Sequence, residues 1–193
     1  MASEDSFAQF VSLACHDLRT PLATVSGFAH TLQQTEELED PAVRYVEMIQ
    51  AASEQIGDLL EDLGLVARIE AGRYEPSLVE ADSLELARSA AERLGEKATA
   101  AGVGDTVRVD RDPVERGLAG LALCALRHGA LEQVTLTADG SSVWIEPVIP
   151  AVAPIVLGED LKDLGAAAAR RVVEALGGSL VLEGERLQVR LPT

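Results

Sequence analysis

Apolar residues at Phe7, Val11, Ala14, Leu18, Leu22, Val25, Ala29 and Leu32 step by threes and fours. The same rhythm returns at Val43, Val46, Ile49, Ala52, Ile56, Leu59, Leu63, Val66 and Ile69. Such spacing lays one apolar stripe along an α-helix. It predicts one helix from about Asp5 to Glu36 and a second from Pro41 to near Gly72. Between them Glu36-Glu37-Leu38-Glu39-Asp40-Pro41 is a polar break, where Asp40 can cap and Pro41 can take the first helical position. Two long helices joined by so short a break make an antiparallel hairpin, and a hairpin alone cannot bury both stripes. A second copy completing a four-helix bundle would cover them, and the rest of the chain is the other possible cover. The dimer is expected to bury Val11, Ala14, Leu18, Val25, Ile49, Ile56 and Leu63.

One octet inside the first helix is unlike its surroundings: Cys15-His16-Asp17-Leu18-Arg19-Thr20-Pro21-Leu22. His16 is two residues from both Ala14 and Leu18, roughly 200° around the helix at about 100° per residue. It therefore points to solvent, with Thr20 one turn away on the same face. Pro21 lacks the N–H that would bond the Asp17 carbonyl and crowds that carbonyl, which bends a helix. An exposed imidazole with a carboxylate neighbour at a helix bend suits chemistry better than packing. His30 lies on nearly the same face but about 21 Å along the axis at 1.5 Å per residue, so the two cannot share a metal within one chain.

Composition narrows the partners. Of 193 residues, 16 are Lys or Arg and 32 are Asp or Glu, a net charge of −16 that repels nucleic acid and anionic membrane surfaces. Residues 1–75 carry 4 basic and 14 acidic groups, so the helical segment holds most of the excess. Cys15 and Cys124 offer neither a disulfide framework nor a recognised metal spacing. Cys15, beside Ala14, reads as a half-buried small apolar residue. No stretch approaches the ~20 apolar residues of a membrane span, and the acidic start is not a signal peptide. A cytoplasmic protein without membrane insertion is the expectation.

The octet resembles the H-box of sensor histidine kinases, His-Asp/Glu-Leu-Arg-Thr/Asn-Pro-Leu, and fits it at every position from His16 to Leu22. The resemblance implies that His16 is a phospho-acceptor in a dimerisation and histidine-phosphotransfer domain. It implies that Asp17 acts as a base assisting proton removal from the imidazole. It implies that Thr20 positions water for dephosphorylating a partner response regulator.

After Glu75-Pro76 the pattern changes. A helix is expected from Ser83 to about Ala101, a short strand at Thr106–Val109 and a helix from Asp112-Pro113 to His128. A hairpin is expected around Asp139-Gly140, a helix from about Asp160 to Leu176, and a closing hairpin around Gly184. This order suggests an α/β sandwich with one mixed sheet covered by helices on one face. The fold class is thus α+β, a helical hairpin over residues 1–74 and a sandwich over residues 75–193.

In order and length the second part resembles the ATP-binding domain of histidine kinases. Gly165-Ala-Ala-Ala-Ala-Arg-Arg-Val-Val-Glu-Ala-Leu-Gly-Gly matches one of that domain's segments, and Leu118 to His128 matches its N-box helix. The family's functional positions differ, however. Gly120 and Cys124 stand where the N-box carries asparagines, and a thiol is no ligand for Mg²⁺, which takes oxygen. Glu146-Pro-Val-Ile-Pro-Ala-Val-Ala-Pro replaces the adenine-binding Asp-x-Gly-x-Gly, leaving Glu146 as a possible substitute and Gly158 as a possible lid glycine. Asp163-Leu164-Gly165-Ala166 replaces Gly-Leu-Gly-Leu, placing an acid where phosphates would pass. The bland reading of Gly165, Gly177 and Gly178 is helix entry and termination, and of His128 a helix end.

Taken together, the resemblance implies a two-component protein, a homodimer that carries a phosphoryl group on His16. It would exchange that group with the aspartate of a response-regulator receiver domain. Mg²⁺ is expected on the receiver, and no cofactor or metal on this chain. Two rivals remain: an ATP-dependent sensor-type histidine kinase, and a non-catalytic dimeric scaffold or phosphatase.

Overall fold

A computed structural model describes residues 2–35 and 42–193, with the side chains of residues 2–7, Gln9, Phe10, Ser12 and Thr35 left aside. The chain divides into two compact units, Met1–Arg73 and Tyr74–Thr193.

The first unit is a helical pair, α1 (Ala2–Thr35) and α2 (Ala42–Glu70). The expected break with its Asp40 cap and Pro41, and the Phe7 side chain of the stripe, lie outside the described residues. The single stripe read from the sequence divides in two. Ala8, Cys15 and Ala29 on α1 are buried, as are Val46, Ser53, Leu60 and Ala67 on α2, at intervals of seven or its multiple. A Cβ on Gly64 would lie 3.9 Å from the Cys15 Cβ, and one on Gly57 3.9 Å from Leu22 Cδ2. Small residues thus set an antiparallel register in which Cys15 meets Gly64 and Leu22 meets Gly57. Cys15, expected half-buried, is 4% exposed because it sits on this inner seam. Three residues further on, Leu18, Val25 and Leu32 remain exposed, as do Ile49 and Ile56. A seven-residue repeat with two apolar positions serves two different neighbours. The inner position meets the other helix of the chain, and the outer one is left uncovered.

The second unit holds a five-stranded sheet and a separate two-stranded ribbon. The sheet comprises β2 (Ala98–Gly104), β4 (Val134–Gly140), β5 (Ser142–Glu146), β6 (Ser179–Glu183) and β7 (Arg186–Arg190), in the order β2-β4-β5-β7-β6. Only β2 and β4 run parallel. Helices α3 (Ser83–Glu92), α4 (Arg111–Gly129) and α6 (Leu164–Ala175) cover one face. On that face Val134, Leu136, Val143, Ile145, Leu187 and Val189 are buried, the period-two signature of a half-covered sheet.

Three expectations need correction. The helix expected to reach Ala101 stops at Glu92, because Gly95 turns the chain at φ +60° and Ala98–Gly104 pairs with β4. Its alanines favour a helix, but pairing in the sheet overrides propensity. Gly102 (φ +103°) marks the strand, since a Cβ there would lie 2.0 Å from the Ala138 carbonyl oxygen. The expected single sheet is joined by a ribbon of β1 (Leu78–Asp82) and β3 (Thr106–Asp110), whose Val107 and Val109 are fully buried. The helix expected from Asp160 begins instead at Leu164, capped by Asp163, whose Oδ1 accepts the Ala166 N–H at 3.0 Å. A short helix, α5 (Ala153–Val156), precedes it, with Pro154 in its first turn.

Candidate functional site

His16 lies near the middle of α1 on the side away from the inner seam. Its side chain is 77% exposed and that of Asp17 69%. The ring Nδ1 is 3.2 Å from Asp17 Oδ1. A proton on Nδ1 donated to this carboxylate leaves the Nε2 lone pair facing solvent, the tautomer a nucleophile needs. Thr20 is exposed one turn on, and α1 continues without interruption through Pro21. Burial of the adjacent Cys15 against Gly64 explains the placement: a residue locked into the seam fixes its successor outward. His30 plays no part here, since its Nε2 accepts the amide of Gln34 at 2.9 Å one turn later.

In the second unit, Gly120 and Cys124 lie on the face of α4 toward α6. A Cβ on Gly120 would meet Gly165 carbonyl atoms at 3.3 Å, and one on Gly117 would meet the Ala169 Cβ at 3.3 Å. Two small-residue faces therefore bring these helices together backbone to backbone. Beyond β5, Val148, Val152, Ile155 and Val156 are buried, contributing about 2 kcal/mol each by leaving water. Arg170 fastens the same segment, donating from Nη1 to the Leu157 carbonyl at 2.6 Å and pairing through Nε with Glu174 at 2.8 Å. Glu146, considered above as an adenine reader, alternates with the buried Val143 and Ile145 and so stands on the helix-free face. There its Oε2 pairs with Arg186 Nε at 2.5 Å, while Arg186 stacks over Trp144 at 4.5 Å.

Residues 8–72 match the His Kinase A (phospho-acceptor) domain. The chain is 38% identical over 72 residues to the probable sensor histidine kinase TcrY of Mycobacterium tuberculosis, covering 37% of this chain and 15% of that protein. It is 29% identical over 184 residues to the histidine protein kinase DivJ of Caulobacter vibrioides, covering 89% of this chain and 30% of DivJ. The hairpin therefore matches a phospho-acceptor domain, and the chain is similar to histidine kinases along most of its length. The chain spans under a third of the length of either relative. Its fold resembles part of full-length ShkA, whose crystal structure is a complex with AMPPNP. The likeness has a TM-score of 0.63 at 24% identity over 94% of this chain and 44% of ShkA. Among the described residues no helix is long and apolar enough to cross a membrane.

The second unit also assembles a cluster that the sequence alone does not reveal. Ligand atoms of Cys124, His128 and Asp163 lie within 4.8 Å of one another. Cys124 is fully buried, and its thiol is pushed up to about 12, first by burial, then by the Asp163 charge, against a smaller opposing pull from Arg127. His128 Nε2 is buried 3.4 Å from Asp163 Oδ2 without making a hydrogen bond, and Arg127 Nη1 is 3.6 Å from the same oxygen. The i, i+4 spacing of Cys124 and His128 puts them on one face of α4. Asp163 is remote in sequence and joins them only through the close packing of α4 and α6.

Proposed function

We propose that this protein carries a phosphoryl group on His16 and exchanges it with the phosphorylated aspartate of a receiver domain, without drawing on ATP itself. The observation that carries the reading is the exposed His16–Asp17 pair. In the forward step the Nε2 lone pair attacks the phosphorus of the aspartyl phosphate. The P–O bond to the receiver breaks and its carboxylate leaves, while phosphohistidine forms. The imidazolium charge that develops is balanced by Asp17 on Nδ1, which takes up that proton as the charge is relieved. Thr20, on the same face, is the residue we assign to holding water for loss of phosphate from the receiver. Mg²⁺ for this chemistry would come with the receiver.

Two further features support the reading. The outer seam of Leu18, Val25, Leu32, Ile49 and Ile56 suits a homodimer, since a second copy offers the same repeat in return. Close packing of Gly120 on Gly165 and the buried valines after β5 leave little room for a nucleotide against α4. The likeness to DivJ over 89% of the chain favours a second reading, an ATP-dependent histidine kinase.

The test uses a phosphorylated receiver domain as donor. Label should pass to the wild-type chain and be absent from His16→Ala, with helix content unchanged because alanine suits an exposed helical position. Asp17→Asn should slow transfer by about 100-fold while leaving the acceptor in place. Thr20→Ala should keep the label on His16 but weaken phosphate loss from the receiver. Equal labelling of wild type and His16→Ala would refute the assignment.

A further inference from the structure

We infer that Cys124, His128 and Asp163 form a binding site for a borderline-soft divalent ion, with Zn²⁺ the best fit, which clamps the last turns of α4 to the start of α6. Sulfur, imidazole nitrogen and carboxylate oxygen are the three donor types zinc takes, and their mixture excludes Mg²⁺ and Ca²⁺, which take oxygen. The three ligand atoms already lie within 4.8 Å of one another. A tetrahedral ion at about 2.0–2.3 Å from each would draw them in by roughly 1 Å, within reach of small side-chain rotations.

Each donor is also held as a ligand should be. Asp163 Oδ1 is fixed by the Ala166 N–H at 3.0 Å, so Oδ2 is the oxygen turned toward the cluster. His128 Nε2 is buried and unbonded in the direction of that oxygen. Cys124 contributes from one turn earlier on α4, and its thiol proton passes to solvent when sulfur binds the ion. Thiolate and carboxylate together neutralise the dication, so the completed centre adds no net charge to a buried place. Arg127, 3.6 Å from Asp163 Oδ2 and with its side chain half-exposed, can swing into water as the ion arrives. The His128 side chain is 25% exposed, so its ring borders solvent although Nε2 itself is buried, and a water would complete the tetrahedron. An ordinary ion pair of His128 with Asp163 would explain neither the missing hydrogen bond nor the thiol beside it.

The site makes no use of His16, so its fate is independent of the phosphotransfer reading. The experiment titrates the full chain with Co²⁺ under reducing conditions and then competes with Zn²⁺. Wild type should develop a thiolate-to-cobalt charge-transfer band at one equivalent, bleached by Zn²⁺. Cys124→Ala should lose the band. His128→Asn and Asp163→Asn, the latter keeping an oxygen to cap α6, should each weaken binding by more than about 100-fold, beyond what losing a secondary partner of a ligand costs. Cys15→Ala should bind as wild type does. Circular dichroism checks each fold, and if Cys124→Ala fails to fold, the two asparagine variants decide. No band in wild type, or a band that survives Cys124→Ala or disappears with Cys15→Ala, would overturn the site.

Discussion

The hairpin and the α/β unit keep their apolar surface in opposite ways. Of sixteen exposed large apolar side chains among the described residues, ten belong to the hairpin, though it is much the smaller unit. In the α/β unit the apolar residues of β4, β5 and β7 close over α3, α4 and α6, and the segment after β5, with α5, adds four more buried side chains. Their chemistry divides the same way. The hairpin carries the motif from His16 to Leu22 intact, with the imidazole in water. Where the resemblance would place nucleotide contacts, the α/β unit has glycines packed against a neighbouring helix and a buried thiol. A surface left open is available to partners. One filled by its own side chains has become structural.

The sharpest way to break this contrast is chemical access to Cys124. With its thiol up at about 12, the reactive thiolate is scarce at pH 8, and burial blocks it further. Native alkylation should be at least about 1,000-fold slower than for a free cysteine of pKa about 8.5. The pKa is raised, so the rate should climb with pH toward 12, and unfolding should restore it. Rapid native labelling of Cys124, read by mass spectrometry, would mean that α4 and α6 open. On the hairpin, Ile56→Asp should weaken self-association by about 4 kcal/mol, near 1,000-fold. The substitution acts twice across a two-fold seam and places carboxylates where isoleucines would meet. Analytical ultracentrifugation would register this, and an unchanged mass would show that the outer seam is not used. In the closed unit, Leu136→Ala should cost about 3 kcal/mol of unfolding stability, because Leu136 is fully buried beneath the helices. The smallest effect concerns a cap. Asp82 Oδ1 accepts the Leu84 and Glu85 N–H groups at 2.8 and 3.2 Å, so Asp82→Ala should cost about 1 kcal/mol by denaturant titration.

Much of this was legible in the sequence because it depends on local pattern. The three-and-four spacing located both long helices, and the angular offset of His16 from Ala14 and Leu18 placed it in water. Turns at Gly140 and Gly184 located both hairpins. What escaped is what tertiary pairing decides. Ala98–Gly104 looks helical until β4 lies beside it. The two apolar positions of each heptad look alike until the neighbouring helix claims one of them. Glu146 looks available until the alternation along β5 turns it from the helices. The Cys124 cluster is hidden because its third member comes from another helix. Asp163 looked like an intruder among phosphate contacts and is in fact the cap of α6.

The most direct measurement follows the source of the phosphoryl group. The full chain is incubated with Mg²⁺ and γ-labelled ATP in one tube, and with a labelled receiver domain in another, and both are resolved under conditions that preserve phosphohistidine. The account predicts no label from ATP, and label from the receiver that depends on His16. Label on His16 in the ATP tube would contradict it and establish the α/β unit as a working kinase domain.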